Sequence, residues 1–414
     1  MSNSQVSKSP KTAFSGTIIC IGSAIGAGIF SLPTVSSGMW LYWSIACLLL
    51  TASATAVAAL MTLRVNLNFE LGDSFDTIVR GTLGRGWNIF NGLLFVFLLY
   101  ILDYAYISGG GSIVSQTAVS VFGVELSHVL ASFVFAISLA FVVWLSTSAV
   151  SKVVAVLIFG MIVSFLMVMF DLSFTIKWSN FTTANAIENG VPRFYYVFAA
   201  LPFYLTSFSF TSAVPSLVAY YGKRYTTISR SILLASLGCL LIYLVFLLVP
   251  FGNIPRTEFR AVSAAGGNIG DLLDALMGGG ASRLLSIFAN AAIISSFLGV
   301  SLGLFDFIKD KFDFDDSKTG RFKAALISFL PPIVGGVFFP NGFLYAIGFA
   351  GLVLAIIGLI IPPLMIKKSR QQFKEADHGS FVSSNLVIHT VIALGVFYAI
   401  CHILAMLNLL PVFK

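Results

Sequence analysis

The chain is 414 residues long, 57% hydrophobic and only 10% charged, with a formal net charge of +7 and a mean hydropathy of +0.95. Soluble domains carry about 25% charged residues, so this composition excludes a soluble globular protein and points to an integral membrane protein with many spans. The positive charge does not indicate nucleic acid, because the basic residues gather in short segments between apolar runs, and no polar stretch is long enough to bury its own core.

In chain order, a polar leader (residues 1–12, MSNSQVSKSPKT) shows no small-residue cleavage site of the kind that ends a signal peptide. A span needs about 20 mostly apolar residues, and eleven such segments follow. The first half gives Ala13–Ser36, Trp40–Leu63, Trp87–Ala118, Ser127–Leu145, Val153–Phe170 and Phe194–Tyr220. The second gives Ile228–Phe251, Leu284–Ile308, Phe322–Phe338, Leu344–Ile366 and Ser384–Leu407. With the N-terminus inside, 18 of the 24 lysines and arginines fall on the cytoplasmic side and 6 outside: Lys177, Arg193, Arg256, Arg260, Arg283 and Lys414. The positive-inside rule therefore places the N-terminus in the cytoplasm and, with eleven spans, the C-terminus outside. Residues 1–12 read as a cytoplasmic tail and 13–383 as the core, with repeats at 13–170 and 194–366; 384–414 hold the eleventh span. The four cysteines (Cys20, Cys47, Cys239, Cys401) are far apart in apolar segments and make no metal or redox motif.

The first span contains IGSAIGAGIFSLP (21–33). Glycine costs roughly 1 kcal/mol per residue inside a helix relative to alanine, and a plain anchor gains nothing from three. Two readings compete. Glycines can let helices pack closely, or the helix can break at membrane depth where its backbone lines a cavity. The sixth span is interrupted as well: Pro202 and Pro215 bracket Thr206, Ser207, Ser209, Thr211 and Ser212. Hydroxyls in a helix can simply bond their own backbone carbonyls. Yet two interruptions five spans apart are the sequence pointer to a secondary transporter built from an inverted repeat, with its site at the midplane. Half-helix N-termini suit a carboxylate and half-helix C-termini an ammonium or cation, so a zwitterionic amino acid matches both. The candidate substrate-binding residues are Gly22, Ser23, Ile25, Gly26, Ala27 and Gly28 in the first break, with Ser207, Phe208, Ser209 and Phe210 in the second.

Of the 17 carboxylates, Asp103 alone sits near mid-span. A central acid costs at least about 2.5–3.5 kcal/mol to insert and is a functional candidate by default. Asp103 is therefore the candidate for proton coupling or for pairing with the substrate ammonium; the plain reading is a neutral carboxyl bonded to a neighbouring helix. Tyr100, Tyr104 and Tyr106 flank it, and Tyr104 is placed nearest the pocket. Ser295 and Ser296 in the eighth span can line the pocket or ligate sodium. Lys152 reads as a snorkelling positive-inside lysine, and the four histidines form no cluster. No catalytic constellation appears, so the chain reads as neither enzyme nor cofactor carrier. A channel would favour repeated polar faces over two isolated breaks.

The stretches IGAGIFSLP (25–33), SFDTI (74–78), WLST (144–147), VPSL (214–217), GNIPR (252–256), GGNI (266–269), SSFLGVSLGLFD (295–306), PNGFLYAIG (340–348) and NLLPV (408–412) occur in order along nearly the whole chain. They resemble the bacterial aromatic amino acid permeases, the tryptophan and tyrosine branch of the hydroxy and aromatic amino acid permease family. The resemblance implies an all-α fold of eleven transmembrane helices. It has a LeuT-like 5+5 inverted repeat, broken helices one and six, and one extra C-terminal helix. It also implies an inner-membrane carrier importing an aromatic amino acid, tryptophan or tyrosine, by proton symport. A serine/threonine permease, a sodium-coupled carrier and a transporter-like nutrient sensor are the rival readings. The departures lie in span six, where the family usually has Ser-Phe-Gly-Phe-His-Gly-Asn. Here Ser207, Phe208, Ser209, Phe210, Thr211, Ser212 and Ala213 stand. In span three Asp103 occupies a position that is typically neutral. The missing histidine and the added Asp103 read together as a relocated titratable group.

Overall fold

A computed structural model describes residues 12–182, 187–188, 190–261, 280–339, 342–373 and 381–413. The leader up to Lys11, the GGNI stretch at 266–269 and His378 lie outside these residues. Among the described residues ten helices are long and apolar enough to cross a membrane, and a bent pair at the start makes eleven.

The chain runs α1 (Ala13–Ala24), α2 (Ala27–Ser36), α3 (Trp40–Asn66), α4 (Phe75–Leu83) and α5 (Arg85–Thr117). Next come α6 (His128–Leu145), α7 (Thr147–Ser173), α8 (Tyr196–Ser207), α9 (Val214–Tyr221) and α10 (Tyr225–Asn253). Then follow α11 (Gly280–Lys311), α12 (Lys318–Phe338), α13 (Phe343–Gln372) and α14 (Asn385–Met406). Helix α13 opens into a π-helical segment at Ala355–Ile360. A two-stranded hairpin pairs Ile187–Glu188 with Val191–Pro192. Serines start many of these helices: the hydroxyls of Ser74, Ser127, Ser146, Ser317 and Ser384 each accept a backbone N–H of the first turn. Those N–H groups have no partner within the helix.

The expected spans and the observed helices agree to within a few residues. The amphipathic α4 and the π-helical segment of α13 have no counterpart among the expectations, since the first is too short and polar to read as a span and the second keeps an unbroken apolar run. The helices pack in two groups. In one, α1 packs on α10, α2 on α8, and α3 on both; in the other, α5, α6, α7, α11 and α12 pack together. Each group thus draws corresponding spans from the two halves of the chain, and α13 bridges α5 and α8.

Proline positions explain several ties. Ile327 and Pro331 are one helical turn apart, so the Ile327 carbonyl has no N–H to receive. The Tyr100 hydroxyl fills that gap at 2.9 Å, joining α5 to α12. Arg321 at the start of α12 donates to the carbonyls of Trp144 (2.9 Å) and Val143 (3.0 Å) at the end of α6. A cation at a helix C-terminus also matches the sign of the helix dipole.

Candidate functional site

Helices α1 and α2 meet at 61°. The break is confined to Ile25 (ψ 102°) and Gly26 (φ −152°, ψ −146°). Gly22 and Ser23 stay within α1, and Ala27 and Gly28 open α2. Both readings of the glycines hold, at different positions. A Cβ on Gly28 would lie 2.8–2.9 Å from the backbone Cα and N of Ser207, so this glycine permits α2 to touch the end of α8. A Cβ on Gly26 would lie 3.2 Å from Ser296 Oγ and 3.3 Å from the Tyr106 hydroxyl. Gly26 therefore brings the bent backbone against hydroxyls from α11 and α5.

Gly22 on α1 and Gly299 on α11 have no heavy atom within 4 Å of where a Cβ would stand. Both, with Ser23, are exposed. The first break is closed at its own level, and Gly22 lies on the side of it toward the start of α1. There α1 is tied to the first packing group: the Tyr221 hydroxyl accepts from Gly16 N and donates to the Thr12 carbonyl, each at 2.6 Å, and Ser231 Oγ donates to the Ala13 carbonyl at 2.8 Å. At the opposite end, Arg256 donates to the carbonyls of Ser37 (2.8 Å) and Gly38 (2.6 Å), just past α2, while its guanidinium stacks 4.3 Å from the Phe413 ring.

The second break lies between Ser207 and Thr211. The buried Tyr243 hydroxyl donates to the Ser207 carbonyl at 2.5 Å, and its ring meets Phe208 edge-on at 5.0 Å. The five hydroxyls here do two different things. Thr206 donates to the carbonyls of Pro202 and Ile347, and Ser207 to that of Phe203. Those are backbone bonds of the plain kind. The hydroxyls of Ser209, Thr211 and Ser212 bond nothing among the described residues and line a pocket against α3, α5 and α13. Phe95, Leu98, Phe208, Leu354 and Ile357 form its apolar wall, and Gly358 its floor. Phe210 is wholly buried in the core and does not line it.

On α5 the expectation for Tyr104 is corrected. Its hydroxyl donates to the Phe339 carbonyl at 2.8 Å, facing α12. Tyr100 and Tyr104 are four residues apart and share that face, whereas Tyr106 shares the Asp103 face, three residues on. Tyr106 is the tyrosine beside the first break. On α11, likewise, Ser295 bonds its own helix at the Ala292 carbonyl, and Ser296 faces Gly26. Asp103 is fully buried; one oxygen accepts from Ser301 Oγ at 2.9 Å, and Oδ2 has no hydrogen-bond partner among the described residues. Its bond to Ser301 ties α5 to α11, and it does not line the pocket. Lys152 is exposed. Among the described residues no three His, Cys, Asp or Glu side chains converge as a metal site would require.

Comparison with known proteins agrees with this architecture. The tryptophan/tyrosine permease family matches residues 9–402. A tryptophan-specific transport protein of Pseudomonas aeruginosa (strain UCBPP-PA14) is 45% identical over 406 residues, covering 96% of both chains. The low affinity tryptophan permease of Escherichia coli (strain K12) is 38% identical, over 97% of this chain and 98% of its own. A tyrosine permease of Enterobacter agglomerans is 36% identical, over 99% and 100%. Among solved structures, a manganese transporter of Eremococcus coleocola superposes with a TM-score of 0.57 at 14% identity, covering 95% of this chain and 85% of that one; the likeness is one of fold.

Proposed function

Because the chain belongs to the tryptophan/tyrosine permease family, we propose that it is a secondary transporter importing an aromatic amino acid, tryptophan first and tyrosine second, by proton symport with alternating access. The observation that carries this reading is the pair of breaks held side by side by Gly28 and Ser207, with unbonded hydroxyls on the second. The ammonium and carboxylate of the substrate fit the bared half-helix ends. A polytopic carrier of this kind belongs in the bacterial inner membrane, and the charge distribution puts the α1 end in the cytoplasm. In this scheme the exposed Gly22 and Gly299 lie on the cytoplasmic side of the break and Arg256 ties the outer end, the arrangement expected of an inward-facing state.

Asp103 is the proton carrier in this scheme. An isolated ionised carboxylate in an apolar interior is far costlier than a neutral one, and Asp103 has one hydrogen bond and no counter-ion among the described residues. It stands one turn from Tyr106, which touches the first break, so proton and substrate share α5 as a wall.

Uptake of labelled tryptophan, tyrosine, phenylalanine and serine into vesicles, under imposed proton or sodium gradients, tests both parts. The expected result is accumulation of the aromatic amino acids driven by protons. Accumulation driven by sodium alone overturns the coupling, and uptake of serine without tryptophan overturns the substrate. Asp103→Asn is expected to abolish the dependence on the proton gradient; an unchanged pH profile removes Asp103 from the scheme.

A further inference from the structure

The pocket beside the second break has a floor that is unusual for a packed membrane interior. Gly358 is buried, yet no heavy atom lies within 4 Å of where its Cβ would stand. Buried glycines elsewhere in the chain meet close neighbours: Gly351 has the Pro202 carbonyl and Gly28 has Ser207. A buried glycine with nothing opposite marks a cavity wall rather than a close approach. It lies within the π-helical segment Ala355–Ile360, and single-turn π segments within helices are frequent at functional sites. The pocket joins an apolar wall to the hydroxyls of Ser209, Thr211 and Ser212, which bond nothing among the described residues; Thr211 is buried, Ser209 half-buried and Ser212 exposed. Such hydroxyls at a pocket wall are open to pairing with water or with a ligand.

We propose that this pocket is the subsite for the aromatic ring of the transported amino acid, that the three hydroxyls receive its ring N–H or O–H, and that Gly358 sets how large a ring it takes. The proposal rests on the transport reading above and adds where the ring goes. An indole or phenol is an apolar body with one polar handle; Phe95, Leu98, Leu354 and Ile357 suit the body, and the hydroxyl side suits the handle. The substrate backbone stays at the half-helix ends beside Ser207, so the ring points from the break toward α13 rather than toward α11. In the conformation described the pocket has room for about two water molecules. A ring therefore needs more space than this and pushes back Phe75 and Phe95, wall side chains that are only half-buried.

Gly358→Leu tests this directly, because the added side chain enters open space and meets no protein atom at its Cβ. The readout is KM for tryptophan and for phenylalanine in vesicles holding matched amounts of protein, with Leu354→Ala as the enlarging counterpart. A misfit of about one methylene changes discrimination roughly 10–200-fold. Gly358→Leu is expected to raise KM for tryptophan about tenfold or more, with a smaller rise for phenylalanine. Leu354→Ala is expected to favour ring-substituted tryptophans over tryptophan. An unchanged ratio of the two KM values in Gly358→Leu, or an unchanged ring preference in Leu354→Ala where the first variant does not insert, overturns the ring subsite. Wild-type vesicles that accumulate no aromatic amino acid overturn the parent reading instead.

Discussion

At the scale of single residues, what matters is which atoms a side chain meets, and here the two kinds of glycine make opposite forecasts. Gly28→Ala drives a methyl into the Ser207 backbone, and such overpacking costs about 1–3 kcal/mol. Gly22→Ala meets nothing and is expected to melt within about 0.5 kcal/mol of the wild type. Thermal unfolding of the two variants in detergent, alongside uptake, separates them; equal melting temperatures for both would show that Gly28 has room to spare. At this scale much was legible in the sequence and some was not. The glycines, the hydroxyl run and Asp103 stand out by composition. Which member of Tyr104/Tyr106 or Ser295/Ser296 turns toward the break depends on helical phase relative to neighbours, and a span apolar all round has no polar face to set that phase. The division of five hydroxyls into bonded Thr206 and Ser207 and unbonded Ser209, Thr211 and Ser212 depends on where the helix stops. A run of residues marks that stop only within a few positions.

Among the elements, helix ends and interruptions are held by specific donors rather than by apolar packing alone. Tyr100 supplies the Ile327 carbonyl with the hydrogen bond that Pro331 withholds. Tyr100→Phe leaves that part-buried acceptor without this donor, at a cost of about 1 kcal/mol. Pro331→Ala in the same chain restores a backbone N–H, so part of the loss is expected to return. A double-mutant cycle read by thermal unfolding measures this, and strictly additive effects would show that the two residues act apart. Arg321 does comparable work between α6 and α12. Span boundaries were readable because apolar length is a local property of the chain. The bonds that fix one span against another join residues such as Tyr221 and Gly16, 205 positions apart, and nothing local announces them.

For the whole molecule, the proposed transport cycle takes the two packing groups as the units that exchange access, with α1 secured to α10. All four cysteines are buried, so a cysteine placed at Gly299 is expected to be the chief reactive thiol. In inside-out vesicles Gly299→Cys is expected to react with a membrane-impermeant maleimide and to be protected by tryptophan. Reaction from the periplasmic face alone would reverse the assigned direction of opening. The contact between Gly28 and Ser207 has one more consequence, for how such a carrier changes over generations. A side chain at position 28 meets the backbone at 207, so neither end of that contact drifts without a cost in stability. Ser209, Thr211 and Ser212 make no bonds that a replacement would break. Mutational exploration of new solutes is thereby channelled into a few positions beside one wall, and a lineage can alter what it carries while the hinge that carries it stays untouched.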